Sequence, residues 1–183
     1  MDLKNSKVES MKNNYRLLLI FGLVLLLIYS AYKYGDHLNK RETSRAIIQE
    51  YLQNQQEYTH LLRQILNLKT FKENSGTYST EFVIKLKQVS EQMYYSEKLH
   101  LASGKIPGEY RILNQDGMLL IDSIWRDVTE HHLSDTEVRI KLQNFTIKLE
   151  FINNEINRKN LENKNMDTMI KGLLEVIKLA DGH

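Results

Sequence analysis

The amino-acid sequence predicts an all-α protein, in which an N-terminal single transmembrane helix continues into an antiparallel helical bundle or coiled coil of three to four long helices. Three observations predict this fold class. The first is an uninterrupted apolar stretch near the N-terminus. The second is a series of apolar side chains spaced by three, four or seven residues in the rest of the chain. The third is the composition, because eight Gly and one Pro in 183 residues are too few for an all-β or loop-rich chain.

The apolar stretch covers residues 15–34 and predicts a transmembrane helix. Residues 17–31 carry no charged side chain, and a helix of about 20 residues rises about 30 Å, the thickness of the hydrocarbon core of a bilayer. A cleaved signal peptide needs small residues at the cut and two positions before it. The best such cut, after Ser30, has Ile28 at the earlier position. We therefore expect an uncleaved signal-anchor, with a cleaved signal and a buried soluble helix as the alternatives.

The charges beside the apolar stretch are balanced, with four Lys or Arg residues on each side. Because a long domain crosses the membrane largely regardless of its charge, the short N-terminal flank decides the orientation. We expect residues 1–14 to form a short cytoplasmic tail and residues 35–183 to form an extracytoplasmic bundle at the cell membrane. The absence of Cys agrees weakly with an oxidising compartment.

The charge of the chain gives no support for a nucleic-acid partner. Of the 25 Lys and Arg residues and the 23 Asp and Glu residues, 20 and 21 follow Tyr34. The part after the anchor is therefore close to neutral, and it has no basic patch that would bind phosphates.

Two amphipathic helices are expected first. Residues 40–72 contain no Gly or Pro, and their apolar stripe predicts a helix that continues the membrane helix and ends near Lys72. A turn at Gly76 follows, and then a second helix over residues 80–102. The stripe of the first helix consists of Ile48, Tyr51, Tyr58, Leu62 and Ile65.

The next two segments each allow two interpretations. Residues 110–121 fit a helix or a hairpin with Asp116-Gly117 at its turn; we favour the helix, because two strands without a third are marginal. Ser134 and Glu137 then predict a capping box. From Val138 the apolar register continues to Ile177, which favours one helix of about 45 residues, although the Asn-rich residues 153–165 favour a break.

No pattern of chemically active residues is evident. His131 and His132 are adjacent, so on a helix they point about 100° apart and cannot ligate one ion. The other histidines are far apart in sequence, and Asp127 and Glu130 are interpreted as solvated. No phosphate-binding, hydrolase or metalloprotease motif occurs. We therefore expect no catalytic, cofactor-binding or metal site, and no enzyme.

Tyrosine supplies the candidate contact residues. Tyr and Trp are preferred at protein interfaces, and we expect Tyr94, Tyr95 and Tyr110 to be partly exposed and to contact a partner. The alternative is that these side chains only cover the bundle.

These features together predict a membrane-anchored interaction scaffold or an accessory subunit of a bacterial envelope complex, in division, secretion or wall remodelling. The expected partners are the lipid bilayer, other membrane or envelope proteins and, through self-association, a second copy. One alternative is a four-helix sensory or signalling domain, which the sequence favours less because the expected cytoplasmic part is only about 14 residues long and no second apolar stretch could span a membrane. The other alternative is a membrane immunity-type factor, which the sequence does not separate from the first hypothesis.

Overall fold

The computed structural model describes residues 3–73, 76–130 and 133–182, with side chains from residue 21 onward except that of Thr129. This part of the chain is all-α, as predicted, and it contains five α-helices and no strand. The chain divides into two compact units, Met1–Thr43 and Ser44–His183. The helices are α1 (Leu3–Leu66), α2 (Thr80–Ser103), α3 (Gly108–Glu130), α4 (Asp135–Arg158) and α5 (Met166–Asp181), with a 3-10 helix (Leu161–Asn163) between the last two.

The first unit contains the whole of the predicted membrane span, residues 15–34. The side chains of residues 15–20 of the span lie outside the described part, as do those of the predicted cytoplasmic tail, residues 1–14. Among the described residues, no helix has a segment with both the length and the apolarity needed to cross a membrane. The transmembrane helix therefore stays a prediction.

The predicted stripe of the first bundle helix is confirmed, because all five of its residues are buried in the core of the second unit. The helix is shorter than expected, however, and ends at Leu66 rather than near Lys72. Arg139 of α4 donates hydrogen bonds to the carbonyl oxygens of Leu66 and, at 2.7 Å, Leu68. This guanidinium satisfies carbonyl groups that a longer helix would have paired internally.

The turn and the second helix agree with the sequence. Gly76 has a φ of 81°, a left-handed conformation that favours glycine. An isolated antiparallel bridge joins Lys72 and Tyr78 across this turn. The backbone N–H of Phe82 then donates to the hydroxyl of Ser79, which caps the N-terminus of α2.

Residues 110–121 are helical and belong to α3, so the hairpin alternative is wrong. Gly117 is the reason that this helix tolerates a poor helix former. A Cβ placed there would lie 2.0 Å from Cε of Met93 and 2.4 Å from Cζ of Phe145. Glycine therefore lets the side chains of α2 and α4 pack against the backbone of α3.

The capping box at Ser134 and Glu137 is confirmed. Hydrogen bonds from the backbone N–H and the hydroxyl of Ser134 hold the pKa of Glu137 below its ordinary value. The carboxylate therefore remains ionised beside the positive end of the helix dipole.

The expected continuous helix over residues 135–180 is wrong, and with it the count of three to four helices. The helix α4 ends at Arg158, Asn160 takes a left-handed φ of 50°, and Asn165 caps α5. Leu161 is buried at this break and lies where a Cβ on Gly172 would be, at 2.4 Å. Tertiary packing of Leu161 thus accompanies a reversal of the chain that the apolar register did not show.

Candidate protein-binding face

The solvent side of α2 presents a straight stripe of apolar and charged residues. Seven residues of α2 face the core, including Leu86, Val89 and Met93. On the other side, Ile84 and Tyr94 are 53% and 55% exposed. The spacing of the stripe alternates between three and four residues, so its members lie along one face of the helix. We call this stripe the α2 outer face, which consists of Ile84, Lys87, Glu91, Tyr94, Lys98 and Leu101.

Charges are interleaved with the apolar side chains of the α2 outer face. Nζ of Lys98 lies 4.6 Å from the centre of the Tyr94 ring, a distance at which a cation is attracted to an aromatic face. Nζ of Lys87 lies 3.8 Å from Oε1 of Glu91, and both side chains are about two-thirds exposed. Exposed ion pairs of this kind contribute little to stability. Both charged groups are therefore able to pair with charges on a bound protein instead.

Tyr95 lies beside the α2 outer face and contacts α1. Its hydroxyl donates to a carboxylate oxygen of Glu50, and this hydrogen bond raises the pKa of Tyr95 above its ordinary value. The two residues line a polar groove of about 470 Å³ between α1 and α2. The other groove residues are Gln53, Asn54, Glu57, Glu91 and Gln92.

Tyr110 does not belong to the exposed set, and the expectation that it is partly exposed is wrong. Its side chain is fully buried, and its ring meets that of Tyr51 edge to face with 6.2 Å between centroids. The hydroxyl of Tyr51 donates to the backbone carbonyl of Tyr110 at 3.3 Å. Tyr110 therefore packs α3 against α1. Partner contact by Tyr94 and Tyr95, which are exposed, stays a prediction.

The burial of one carboxylate, at one end of the bundle, was not predicted from the sequence. Asp127 is 4% exposed rather than solvated. It accepts hydrogen bonds from the hydroxyl of Tyr78 and, at 2.5 Å, from the backbone N–H of Leu133. Nζ of Lys72 lies 3.9 Å from the carboxylate and donates to the carbonyl of Leu133 at 2.6 Å.

This cluster joins chain segments that are far apart in sequence. Asp135 extends it by accepting from the backbone N–H groups of Phe71 and Lys72 at 2.7 and 3.3 Å. Burial, followed by the hydrogen bond to Asp127, raises the pKa of Tyr78 well above its ordinary value. The polar groups of this cluster thus hold the α1–α2 and α3–α4 connections together. No local pattern could have revealed this, since the partners are about 50 to 65 residues apart.

In the described part of the chain, the histidine side chains do not come together in one site. His100 is half-buried, and burial lowers its pKa below the ordinary value. His131, His132 and His183 lie outside the described residues. Within those residues, no group of three or more His, Asp or Glu side chains is placed to hold a metal ion.

Comparison with known proteins finds no protein-family model, curated protein or solved structure that matches this chain. The functional argument therefore depends on the geometry. An exposed stripe of apolar, aromatic and charged side chains on a rigid helix can bind another protein surface, because it offers area, direction and charge.

Proposed function

We propose that this chain is a single-pass membrane protein whose helical bundle binds other proteins in a bacterial envelope complex. Residues 15–34 act as the signal-anchor, and the bundle serves as a scaffold or accessory subunit in division, secretion or wall remodelling. The N-terminal tail lies in the cytoplasm and the bundle outside it.

The proposed membrane anchor is supported by a run of exposed apolar side chains on α1. Seven large apolar residues between positions 21 and 28 are 45–67% exposed. Contiguous apolar patches of this kind are rare on soluble monomers and mark surfaces that another apolar phase covers. The surrounding sequence has the length and the terminal tyrosines that suit a bilayer. The residues are Phe21, Leu23, Val24, Leu25, Leu26, Leu27 and Ile28.

The α2 outer face supports the binding role. Its apolar members are held by a helix whose opposite side is fixed in the core. The stripe therefore meets a partner with little loss of backbone freedom, which favours association. Tyr94 combines a large apolar ring with a polar tip, as residues at binding hot spots commonly do.

The orientation is tested by reporters fused after residue 183. A reporter that is active only outside the cytoplasm should be active, and one that is active only in the cytoplasm should be silent. Cytoplasmic activity would reverse the proposed orientation. Fractionation of the same cells should place the chain in the membrane pellet, and release by carbonate washing would exclude the anchor.

The binding role is tested by placing a photo-crosslinking amino acid at Leu101, which is 61% exposed and one heptad from Tyr94. In intact cells we expect a covalent adduct with one defined envelope protein or with a second copy. The adduct should be lost when Tyr94→Ala is added. The same amino acid at Asn157, an exposed residue of α4, is the control. Equal adducts at both positions, or none at Leu101, would exclude binding through the α2 outer face.

A further inference from the structure

The central part of the α2 outer face is complementary to itself. Ile84, Lys87, Glu91 and Tyr94 are separated by three, four and three residues, so the spacing is the same in both directions. When the stripe is reversed, Ile84 takes the place of Tyr94 and Lys87 takes the place of Glu91. An antiparallel copy would therefore set an apolar residue against an apolar residue and a cation against an anion.

We propose that the α2 outer face binds a second copy of this chain, with the two α2 helices antiparallel across a two-fold axis near residue 89. Ile84 of each copy packs on Tyr94 of the other, and Lys87 of each pairs with Glu91 of the other. The proposal rests on the proposed function in that it names the partner of the same face. It does not depend on the membrane anchor.

The symmetry of the stripe selects a second copy rather than another protein. In a two-fold interface, if one residue contacts another, the reverse contact is also made, so the patch must complement itself. The alternating spacing of three and four residues is that of a helix–helix seam. At the margin, Glu81 of one copy comes within one residue of the position opposite Lys98 of the other, again with opposite charges. Glu81 is exposed, with 63% of its side-chain area accessible.

Lys87 and Glu91 can each form an ion pair with the other copy instead of with each other. Lys87 and Glu91 are 68% and 66% exposed, and their 3.8 Å contact is between positions i and i+4 of one helix. Such a pair stabilises a helix only slightly. Replacing it by two pairs between copies therefore costs little and adds the burial of Ile84 and Tyr94.

Charge reversal tests the pairing directly. The full chain, purified in detergent micelles that leave two copies free to meet in any orientation, is studied by sedimentation equilibrium. Lys87→Glu alone opposes Glu to Glu, and Glu91→Lys alone opposes Lys to Lys. Because like charges across an interface suppress association, each should weaken the dimer at least about tenfold. The double variant restores opposite charges and should return to within about threefold of the wild type.

A matched control is Lys141→Glu, which reverses an exposed charge on α4 and should leave the dimer unchanged. The proposal is overturned if the full chain is monomeric, if the single reversals have no effect, or if the double variant fails to restore dimers. Circular dichroism checks that each variant remains helical. If the chain is monomeric but the photo-crosslinker at Leu101 captures a defined envelope protein, only this proposal falls. If neither is found, the proposed binding role falls as well.

Discussion

At the scale of single residues, glycine and polar side chains have roles that depend on distant neighbours. In the sequence, Gly117 is a weak point that costs a helix about 1 kcal/mol. In the structure, Gly117 gives Met93 and Phe145 the space that a Cβ would occupy. Asp127 appears solvated in sequence, yet its carboxylate is buried and holds Tyr78 and Leu133.

Gly117→Ala should destabilise the chain. The added methyl group would lie 2.0 Å from Met93 and 2.4 Å from Phe145. Overpacking costs about 1–3 kcal/mol, and contacts this close place the cost in the upper part of that range, above the gain of about 1 kcal/mol in helix propensity. Urea unfolding measures the difference. Gly108→Ala is the matched control, since nothing lies within 4 Å of a Cβ at Gly108. A Gly117→Ala variant more stable than the wild type would contradict the close packing.

His100 should make the stability depend on pH. Burial and, more weakly, Arg111 lower its pKa, while Glu97 acts in the opposite direction. Because the folded state then binds fewer protons than the unfolded state, the free energy of unfolding falls as the pH drops below the ordinary histidine pKa. Between about pH 7.5 and about pH 5.5, on either side of that pKa, the wild type should lose more stability than His100→Gln. Parallel pH profiles of the two proteins would contradict this prediction.

At the scale of elements, the start of α4 can be predicted from neighbouring residues and its end cannot. The capping box at Ser134 needs two residues three positions apart, so the sequence shows it. The end of α4 depends on Asn160, whose left-handed backbone is compatible with Asn but is not required by it. The apolar register crosses this break, and periodicity alone therefore predicted continuity.

Substitutions at Asn160 test the break between α4 and α5. Asn160→Ala should lower the free energy of unfolding by about 1–2 kcal/mol, because a Cβ-bearing residue without a helpful polar side chain is strained at positive φ. Asn160→Gly should be within about 0.5 kcal/mol of the wild type, because glycine adopts this conformation freely. Chemical denaturation measures both. An Ala variant of unchanged stability and higher helix content would favour the continuous helix.

At the scale of the whole molecule, the chain consists of two compact units that divide after Thr43. The core of the second unit uses residues from α1 as early as Ile48. The second unit therefore contains its own core, including the residues that α1 contributes to it.

A chain that begins at Ser44 should fold alone. We expect its thermal unfolding midpoint to lie within about 4 °C of the full chain, which corresponds to about 1 kcal/mol or less for a domain of this size. A chain that begins at Gln56 lacks Ile48, Tyr51 and Leu52, all of which are buried. It should show no cooperative transition. Failure of the longer fragment to fold would show that the first unit is needed.

The sequence by itself determined the helical class, the α2 bounds and the capping box, because each depends on residues within a few turns of one another. It also determined which tyrosines were candidates for contact, but not their exposure. The tertiary structure decided that Tyr110 is buried, that Asp127 is enclosed and that the last helix is two helices. For Tyr110 and Asp127 the physical reason is that burial and polar pairing join residues about 50 to 65 positions apart, which no local spacing records. For the last helix the reason is that the break depends on the left-handed backbone of Asn160 and on the packing of Leu161 at Gly172, neither of which interrupts the apolar register.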